Sequence, residues 1–275
     1  MRWASKIAAL SFGIVVPTWV QAHELWIEPH DYVVAAEDLI VADIKIGQKF
    51  SGIRFPFLTR SFNRFDLASN DKTVAVTGRM GDFPALTMPP PHDGLIVIIH
   101  ETTPDTITYD DPEKFVTFVT HKNFPEVLEI HAKRGLPEKH FTETYRRFAK
   151  SLVAVGNGVG ADREFGLETE IVVLANPYVE NLAAGMPIQV LYQGKPRIDV
   201  QVEVFVKAAD DTVDVSFFRT DQTGAATIPM VLNSQYLIDA VVMRPVTGNG
   251  KDGAPVWESL WASMTFETPI EWKEP

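Results

Sequence analysis

The chain has 275 residues, of which 45% are hydrophobic and 22% charged, a composition typical of a globular protein with a substantial apolar core. Its formal net charge of -11 argues against nucleic acid and anionic membrane surfaces as partners. The absence of cysteine excludes disulfides, thiolate metal sites and cysteine nucleophiles. Any metal site must therefore use histidine, carboxylate, backbone or amine ligands.

Residues 1–22 have the pattern of a secretory signal peptide. Two basic residues precede an apolar stretch that ends at Val20, and Ala22 stands at a small-residue position before a cleavage site. The apolar stretch is shorter than the roughly 20 residues that a membrane-spanning helix needs. We expect cleavage after Ala22, a periplasmic or secreted protein that is not inserted in the membrane, and His23 as the mature N-terminus. An uncleaved anchor is the alternative.

Residues 23–165 are predicted to form a β-rich N-terminal domain that ends in helices. The alternating runs DYVVAAEDLIVADIKIG and DKTVAVTG and the apolar run LIVIIHE are typical of strands. The segments EKFVTFVTHK, after Pro112, and PEVLEIHAKRG are predicted helices. A third helix is predicted over 137–156, where aromatic and aliphatic residues recur at helical spacing: Phe141, Tyr145, Phe148 and Leu152.

Residues 166–275 are predicted to form an immunoglobulin-like β-sandwich. Seven segments with strand patterning follow one another, separated by turn signals such as QGKP, DQTG and TGNG. They begin with ETEIVVLA and MPIQVLYQ and end with YLIDAVVM and SLWASMTFE. The predicted fold class is therefore mainly β with a few helices, in two domains.

His23 is the first candidate metal ligand, because cleavage after Ala22 would give this residue both an α-amine and an imidazole. The amine, with an ordinary pKa of about 7.7–8.0, can lose its proton to a divalent cation near neutral pH. Such nitrogen ligands suit nickel, cobalt, zinc and especially copper. Further imidazoles would complete the site: His100 and His121, each at the end of a predicted element, are the first choices, and His30 is a closer helper.

The acidic and aromatic residues next to His23 and two further histidines are expected to have structural roles. Glu24 and Glu28 are expected to face solvent from an edge strand, and Trp26 is expected to lie in the core. His131 and His140 are expected at the surface, on helices. Because the sequence has no HExxH pair, P-loop or GxSxG elbow, it does not predict an enzyme.

Six short segments occur in one order along nearly the whole mature chain: AHELWIEP, YRRFAKSLV, GLETEIVVLANPY, GKP, RTDQTGAATIPM and WASMTF. In this series the chain resembles the periplasmic domain-of-unknown-function 4198 family. The resemblance implies a β-rich N-terminal region, an immunoglobulin-like domain and a role as the periplasmic component of cobalt or nickel uptake systems. The histidine at the start of the mature family members corresponds to His23. Where other members carry a histidine in the strand AVVMR, this chain has Val242.

We therefore expect a periplasmic, non-enzymatic protein that binds nickel or cobalt, with copper as a further option. The expected ligands are His23, His100, His121 and His30, and the expected partner is a membrane metal-uptake transporter. Two alternatives remain open. One is an accessory module for carbohydrate or for a transporter partner that binds no metal. The other is a copper protein that uses its N-terminal histidine in oxidative chemistry.

Overall fold

The structure is a computed structural model, and it describes residues 23–69, 72–250 and 253–272. The predicted signal peptide, 1–22, lies outside the described residues. The expectation of a mainly β chain with a few helices is confirmed. In chain order the elements are β1 (Glu24–Pro29), β2 (Val33–Val34), β3 (Ile40–Gln48), β4 (Ser51–Phe55), β5 (Phe62–Ala68), β6 (Thr73–Ala75), β7 (Leu86–Met88), β8 (Gly94–Thr102), β9 (Asp105–Tyr109), α1 (Pro112–His121), α2 (Pro125–Lys133), β10 (Phe141–Val155), β11 (Thr169–Val173), β12 (Met186–Tyr192), β13 (Lys195–Pro196), β14 (Gln201–Ala208), β15 (Val213–Arg219), β16 (Ala225–Ile228), β17 (Ser234–Pro245) and β18 (Pro255–Glu267).

The strands form three sheets. The central sheet has the order β15-β14-β17-β18-β10-β8-β5-β6, with β2 and β9 also paired to β10. The N-terminal sheet has the order β1-β3-β4, with β7 paired to β3, and the C-terminal sheet has the order β11-β12-β13, with β16 paired to β12. All seven predicted strands of 166–275 are present, divided between the central and the C-terminal sheet.

The central sheet is covered on both faces. On one face, residues such as Ile238 pack with Ile171 and Val190 of the C-terminal sheet. On the other face, residues such as Val153 pack with Ile27 and Ile44 of the N-terminal sheet. A sheet buried on both faces gains apolar burial twice, which is the main source of stability for such a sandwich.

The helix predicted over 137–156 is wrong, because this segment forms β10, the longest strand. Phe148 and Leu152 face the C-terminal sheet, and Ala149 and Val153 face the N-terminal sheet. When both faces of a strand are buried, apolar residues stand at odd and even positions, and the two-residue alternation disappears. The remaining pattern then matches a helical period by coincidence.

β10 also joins regions that the sequence places in different domains. It pairs in parallel with β18, Arg147 lying opposite Trp261. The segments 23–165 and 166–275 therefore contribute strands to one sheet. The two other predicted helices are confirmed as α1 and α2. None of the helices in the described ranges is long and apolar enough to cross a membrane.

Candidate functional site

Two carboxylates face each other on neighbouring strands of the central sheet. Glu203 on β14 is directly opposite Asp239 on β17, and the side chains are only 3% and 1% exposed. The next residues, Val204 and Ile238, point into the core against the C-terminal sheet. Strand alternation therefore directs both carboxylates to the face that the N-terminal sheet and α1 cover. Like charges opposite each other destabilise a sheet unless a cation lies between them.

Lys122, the residue that follows α1, supplies that cation. Its Nζ lies 2.6 Å from Glu203 Oε2, 2.8 Å from Asp239 Oδ2 and 3.0 Å from Glu24 Oε1. It also lies 4.8 Å from the centre of the Trp261 ring. One oxygen of each carboxylate lies within 4.8 Å of the other two. We call these four charged residues the Lys122 cluster.

The position of α1 follows from its ends. Asp111 accepts a hydrogen bond from the Glu113 N–H and Pro112 takes the first turn, so the helix starts at a defined residue. The helix is ten residues long and ends at His121. The Phe118 ring stacks on the Trp261 ring, with 5.5 Å between the ring centres. A helix C-terminus favours positive side chains. The sequence of α1 thus brings His121 and the Lys122 ammonium to the carboxylates.

The charges of the Lys122 cluster do not cancel. Burial disfavours the Lys122 ammonium, but the three carboxylates outweigh that effect and hold its pKa above the ordinary value. Burial raises the pKa of Asp239 to about 7, against the Lys122 charge and with help from Glu24 and Glu203. For Glu203, burial acts in the same direction, but His121 and Lys122 hold its pKa below the ordinary value. One ammonium therefore serves three acids, and the cluster keeps an excess of negative charge.

His121 connects the cluster with solvent. Its Nε2 lies 3.0 and 3.1 Å from the two Glu203 oxygens, and its side chain is 44% exposed. Its ring meets the edge of Phe217 at 5.7 Å. A cavity of about 180 Å³ lies here, lined by Glu24, His121, Lys122 and Glu203 among others. Glu24 Oε2 and Asp239 Oδ1 are buried without a hydrogen-bond partner among the described residues. Such orphaned acceptors are costly unless a ligand satisfies them.

The predicted ligands occupy separate places. His23 precedes β1; its carbonyl accepts two hydrogen bonds from Arg147, at 3.1 and 3.2 Å, and its Nδ1 is buried with no hydrogen-bond partner in the described part of the chain. Burial lowers the His23 pKa. His30, beyond the other end of β1, lies 3.1 Å from Asp43 Oδ2. The six residues of β1 separate His23 and His30 by roughly 20 Å, so these two imidazoles cannot bind one ion.

His100 lies in a different cavity from His121. It is 3% exposed and packs against Phe62 and Phe65, at 5.5 and 5.0 Å between ring centres. No hydrogen bond or ring contact joins any two of the four predicted histidines in the described parts of the chain. Of the four, His121 alone makes a side-chain contact with the Lys122 cluster there.

The grouping of Lys122 with the three carboxylates was not predicted from the sequence. A signal was present only for Asp239, the single acid in the otherwise apolar run YLIDAVVM, whereas Glu203 alternates with valines in QVEVFVKA as a solvent-facing residue would. The expectation that Glu24 faces solvent is wrong, since it is 4% exposed and bound to Lys122. Glu28 is also held inward, because it accepts bonds from Trp26 Nε1 at 2.8 Å and Lys45 Nζ at 2.6 Å.

The expectation that His131 lies at the surface is also wrong. It is buried, and its Nδ1 accepts a hydrogen bond from Trp257 Nε1 at 3.0 Å. Its helix packs its apolar side on the central sheet, so the histidine takes a structural role. Trp26, by contrast, is in the core as predicted, with no exposed surface.

Comparison with known proteins places the chain in a family. A family model described as "Domain of unknown function (DUF4198)" matches residues 20–244. The chain belongs to this family. Among solved structures it is similar to the D0-D1 domain of intimin, with 11% identity, a TM-score of 0.23 and coverage of 88% of this chain and 97% of that one. No curated protein matches the sequence.

Proposed function

We propose that this protein binds a divalent transition-metal cation at the mouth of the Lys122 cluster and supports its uptake or handling in the periplasm. The observation that carries the proposal is the cavity lined by His121, Glu203 and Glu24, where a buried Glu24 oxygen accepts no hydrogen bond from the described residues. Imidazole nitrogen and carboxylate oxygen together form a typical ligand set for such cations. The excess negative charge of the cluster also favours an added cation.

His23 extends this site if the mature chain starts there. Its α-amine would then belong to the residue before Glu24, whose Oε2 accepts no hydrogen bond within the described ranges. The family resemblance implies nickel or cobalt as the metal and a membrane uptake transporter as the partner. The amine and imidazole nitrogens fit these ions and copper better than they fit calcium or magnesium, which prefer oxygen ligands. Reversible binding needs no chemical reaction, so the proposal assigns no enzymatic activity.

Calorimetric titration of the metal-free mature protein with nickel, cobalt, copper and calcium tests the proposal. We expect one equivalent of nickel or cobalt to bind, and His121→Ala to weaken that binding at least about tenfold, or 1.4 kcal/mol. His140→Ala is the matched control, because His140 also contacts a carboxylate, Asp110, at 2.8 Å, but at an exposed position.

The outcomes separate the alternatives. Absence of stoichiometric binding by all the ions would leave a metal-free accessory module for carbohydrate or a transporter partner. Copper binding with peroxide-dependent turnover would favour the oxidative copper protein. Mass spectrometry of the secreted protein adds an independent test, because a mature start other than His23 removes the amine ligand.

A further inference from the structure

A second cavity, of about 340 Å³, lies between the N-terminal sheet and the central sheet. Its walls are mostly hydrocarbon, from side chains such as Leu25, Ile44, Ile46 and Phe62. Its volume is at the lower end of the roughly 300–1,000 Å³ that is typical of small-molecule sites. Its polar lining comes from Arg147, Tyr145, His100, Asp105, Arg60, Ser61, Thr102 and Thr103. An apolar chamber with a few converging polar groups has the usual form of a ligand site.

Arg147 is an unusual residue for the wall of such a chamber. Its side chain is 8% exposed, yet no ion pair joins its guanidinium to a carboxylate in the described residues. Instead, Nε and Nη2 donate to the His23 carbonyl, and the guanidinium lies 4.4 Å from the centre of the Tyr145 ring. The nearby acid, Asp105, accepts the Tyr145 hydroxyl at 3.0 Å. Asp105 and Glu24 attract the guanidinium without forming an ion pair with it, but burial outweighs them and lowers the pKa of Arg147, so a bound anion would stabilise its charge.

His100 adds a neutral polar group to the lining of this cavity. It is buried, and burial lowers its pKa to about 3, so the ring is neutral near physiological pH. Its Nδ1 has no hydrogen-bond partner among the described residues. A neutral imidazole has one N–H donor and one acceptor nitrogen. A carboxylic ligand can take the donor while it pairs with Arg147.

We propose that this cavity binds a small organic carboxylate with an aliphatic body. The carboxylate would pair with Arg147 and accept a hydrogen bond from His100, and the hydrocarbon part would contact Leu25, Ile46 and Phe62. Bidentate pairing of guanidinium with carboxylate supplies orientation as well as attraction. Burial of the hydrocarbon contributes about 0.8 kcal/mol per CH₂ group. This site shares no lining residue with the cavity of the Lys122 cluster, and it requires no metal.

Titration of the protein with hexanoate tests the proposal, after passage over chelating resin to remove metals. Hexanol has the same hydrocarbon body without the charge, and acetate has the charge without the body. We expect hexanoate to bind at one site, at least about tenfold more tightly than either control. Arg147→Met keeps most of the side-chain volume and should weaken hexanoate binding by a similar factor. Arg163→Met is the matched control, because Arg163 also stacks on an aromatic ring, Phe165, at 4.2 Å, but at an exposed site.

Three results would overturn the proposal. These are absence of saturable hexanoate binding, equal binding of hexanol, and unchanged binding by Arg147→Met. If Arg147→Met does not fold, Ile46→Trp decides the question. The larger ring should fill the cavity and abolish hexanoate binding while the circular dichroism spectrum is retained, and undiminished binding by that variant would contradict the site. Nickel or cobalt titration of the same variants separates this proposal from the metal proposal, since loss of one activity need not affect the other.

Discussion

Two buried lysines, Lys122 at the end of α1 and Lys150 on β10 of the central sheet, have different surroundings. Lys150 lies 2.8 Å from Asp162 and 2.9 Å from Glu170, and it donates to the Arg163 carbonyl at 3.0 Å. Glu170 also accepts the backbone N–H groups of Phe165 and Leu167, at 2.9 and 3.2 Å. The charges are thus spread over backbone donors as well as the ammonium. All these partners come from one short stretch of chain after β10.

The Lys122 cluster has a different composition. Three acids surround one ammonium, two carboxylate oxygens accept no hydrogen bond from any described residue, and the His121 side chain at the edge of the group is 44% exposed. Its residues come from β1, β14, β17 and the end of α1, which are distant in the sequence. Lys150, by contrast, is 1% exposed and both its carboxylates are fully buried. Asp162 Oδ1 also accepts no hydrogen bond in the described residues, but it lies 2.8 Å from the Lys150 ammonium, so it leaves less room for a ligand than the unpaired oxygens of the Lys122 cluster.

The largest expected effect is the loss of either lysine in metal-free protein. Lys150→Met leaves two buried acids without their cation, and we expect the free energy of unfolding to fall by about 3–5 kcal/mol. Lys122→Met should cost a similar amount, because it leaves three. Urea denaturation in the presence of a chelator measures both. A loss below about 1 kcal/mol for Lys150→Met would contradict the structural role assigned to this pair.

Addition of a divalent cation should then separate the two variants. In Lys122→Met the three carboxylates have lost their internal cation, so nickel or cobalt can take its place. A cation at about 100 times its Kd would restore about 2.7 kcal/mol. Lys150→Met should gain no more from the metal than the wild type does. Equal gains at one metal concentration would show that the cation does not take the place of the Lys122 ammonium.

The strands that carry the Lys122 cluster could be predicted from the sequence, but the meeting of its residues could not. The alternation in QVEVFVKA identifies β14 but puts Glu203 on its polar side, whereas the apolar run YLIDAVVM identifies β17 and marks Asp239 as an acid at a buried position. The meeting of Glu24 with these acids is not visible in sequence, because β1 reaches them through tertiary packing across the sheet. Histidine count and spacing drew attention to metal ligands, but imidazoles far apart in the fold cannot converge. For β10, burial on both faces removed the pattern that distinguishes strand from helix.

The pH dependence of metal binding gives a smaller but more specific test. Burial raises the pKa of Asp239 from 3.8 to about 7. Between these values the folded protein holds a proton that the unfolded chain has lost, so the free energy of unfolding decreases as pH rises, by up to about 1.4 kcal/mol per pH unit. A bound cation competes with this proton, so metal affinity should increase over the same window.

Asp239→Asn should reduce the pH dependence of the free energy of unfolding and also the pH dependence of metal affinity. Burial raises the pKa of Glu143 to about 7 as well, so the wild-type slope of stability is not due to Asp239 alone. The relevant quantity is therefore the difference between the wild type and Asp239→Asn, measured by denaturation and by calorimetry at several pH values. An identical pH dependence of metal affinity in both proteins would place the cation outside the Lys122 cluster.

The smallest expected effect concerns His30. Its Nε2 lies 3.1 Å from Asp43 Oδ2 and its side chain is 45% exposed, so the pair contributes about 1 kcal/mol or less. It stands at the far end of β1 from Glu24, and His30→Ala should leave nickel and cobalt affinity unchanged. His121→Ala, measured beside it, should weaken the same affinity. If His30→Ala weakens metal binding as much as His121→Ala does, the metal lies near Asp43, and the incomplete charge balance around Lys122 has another cause.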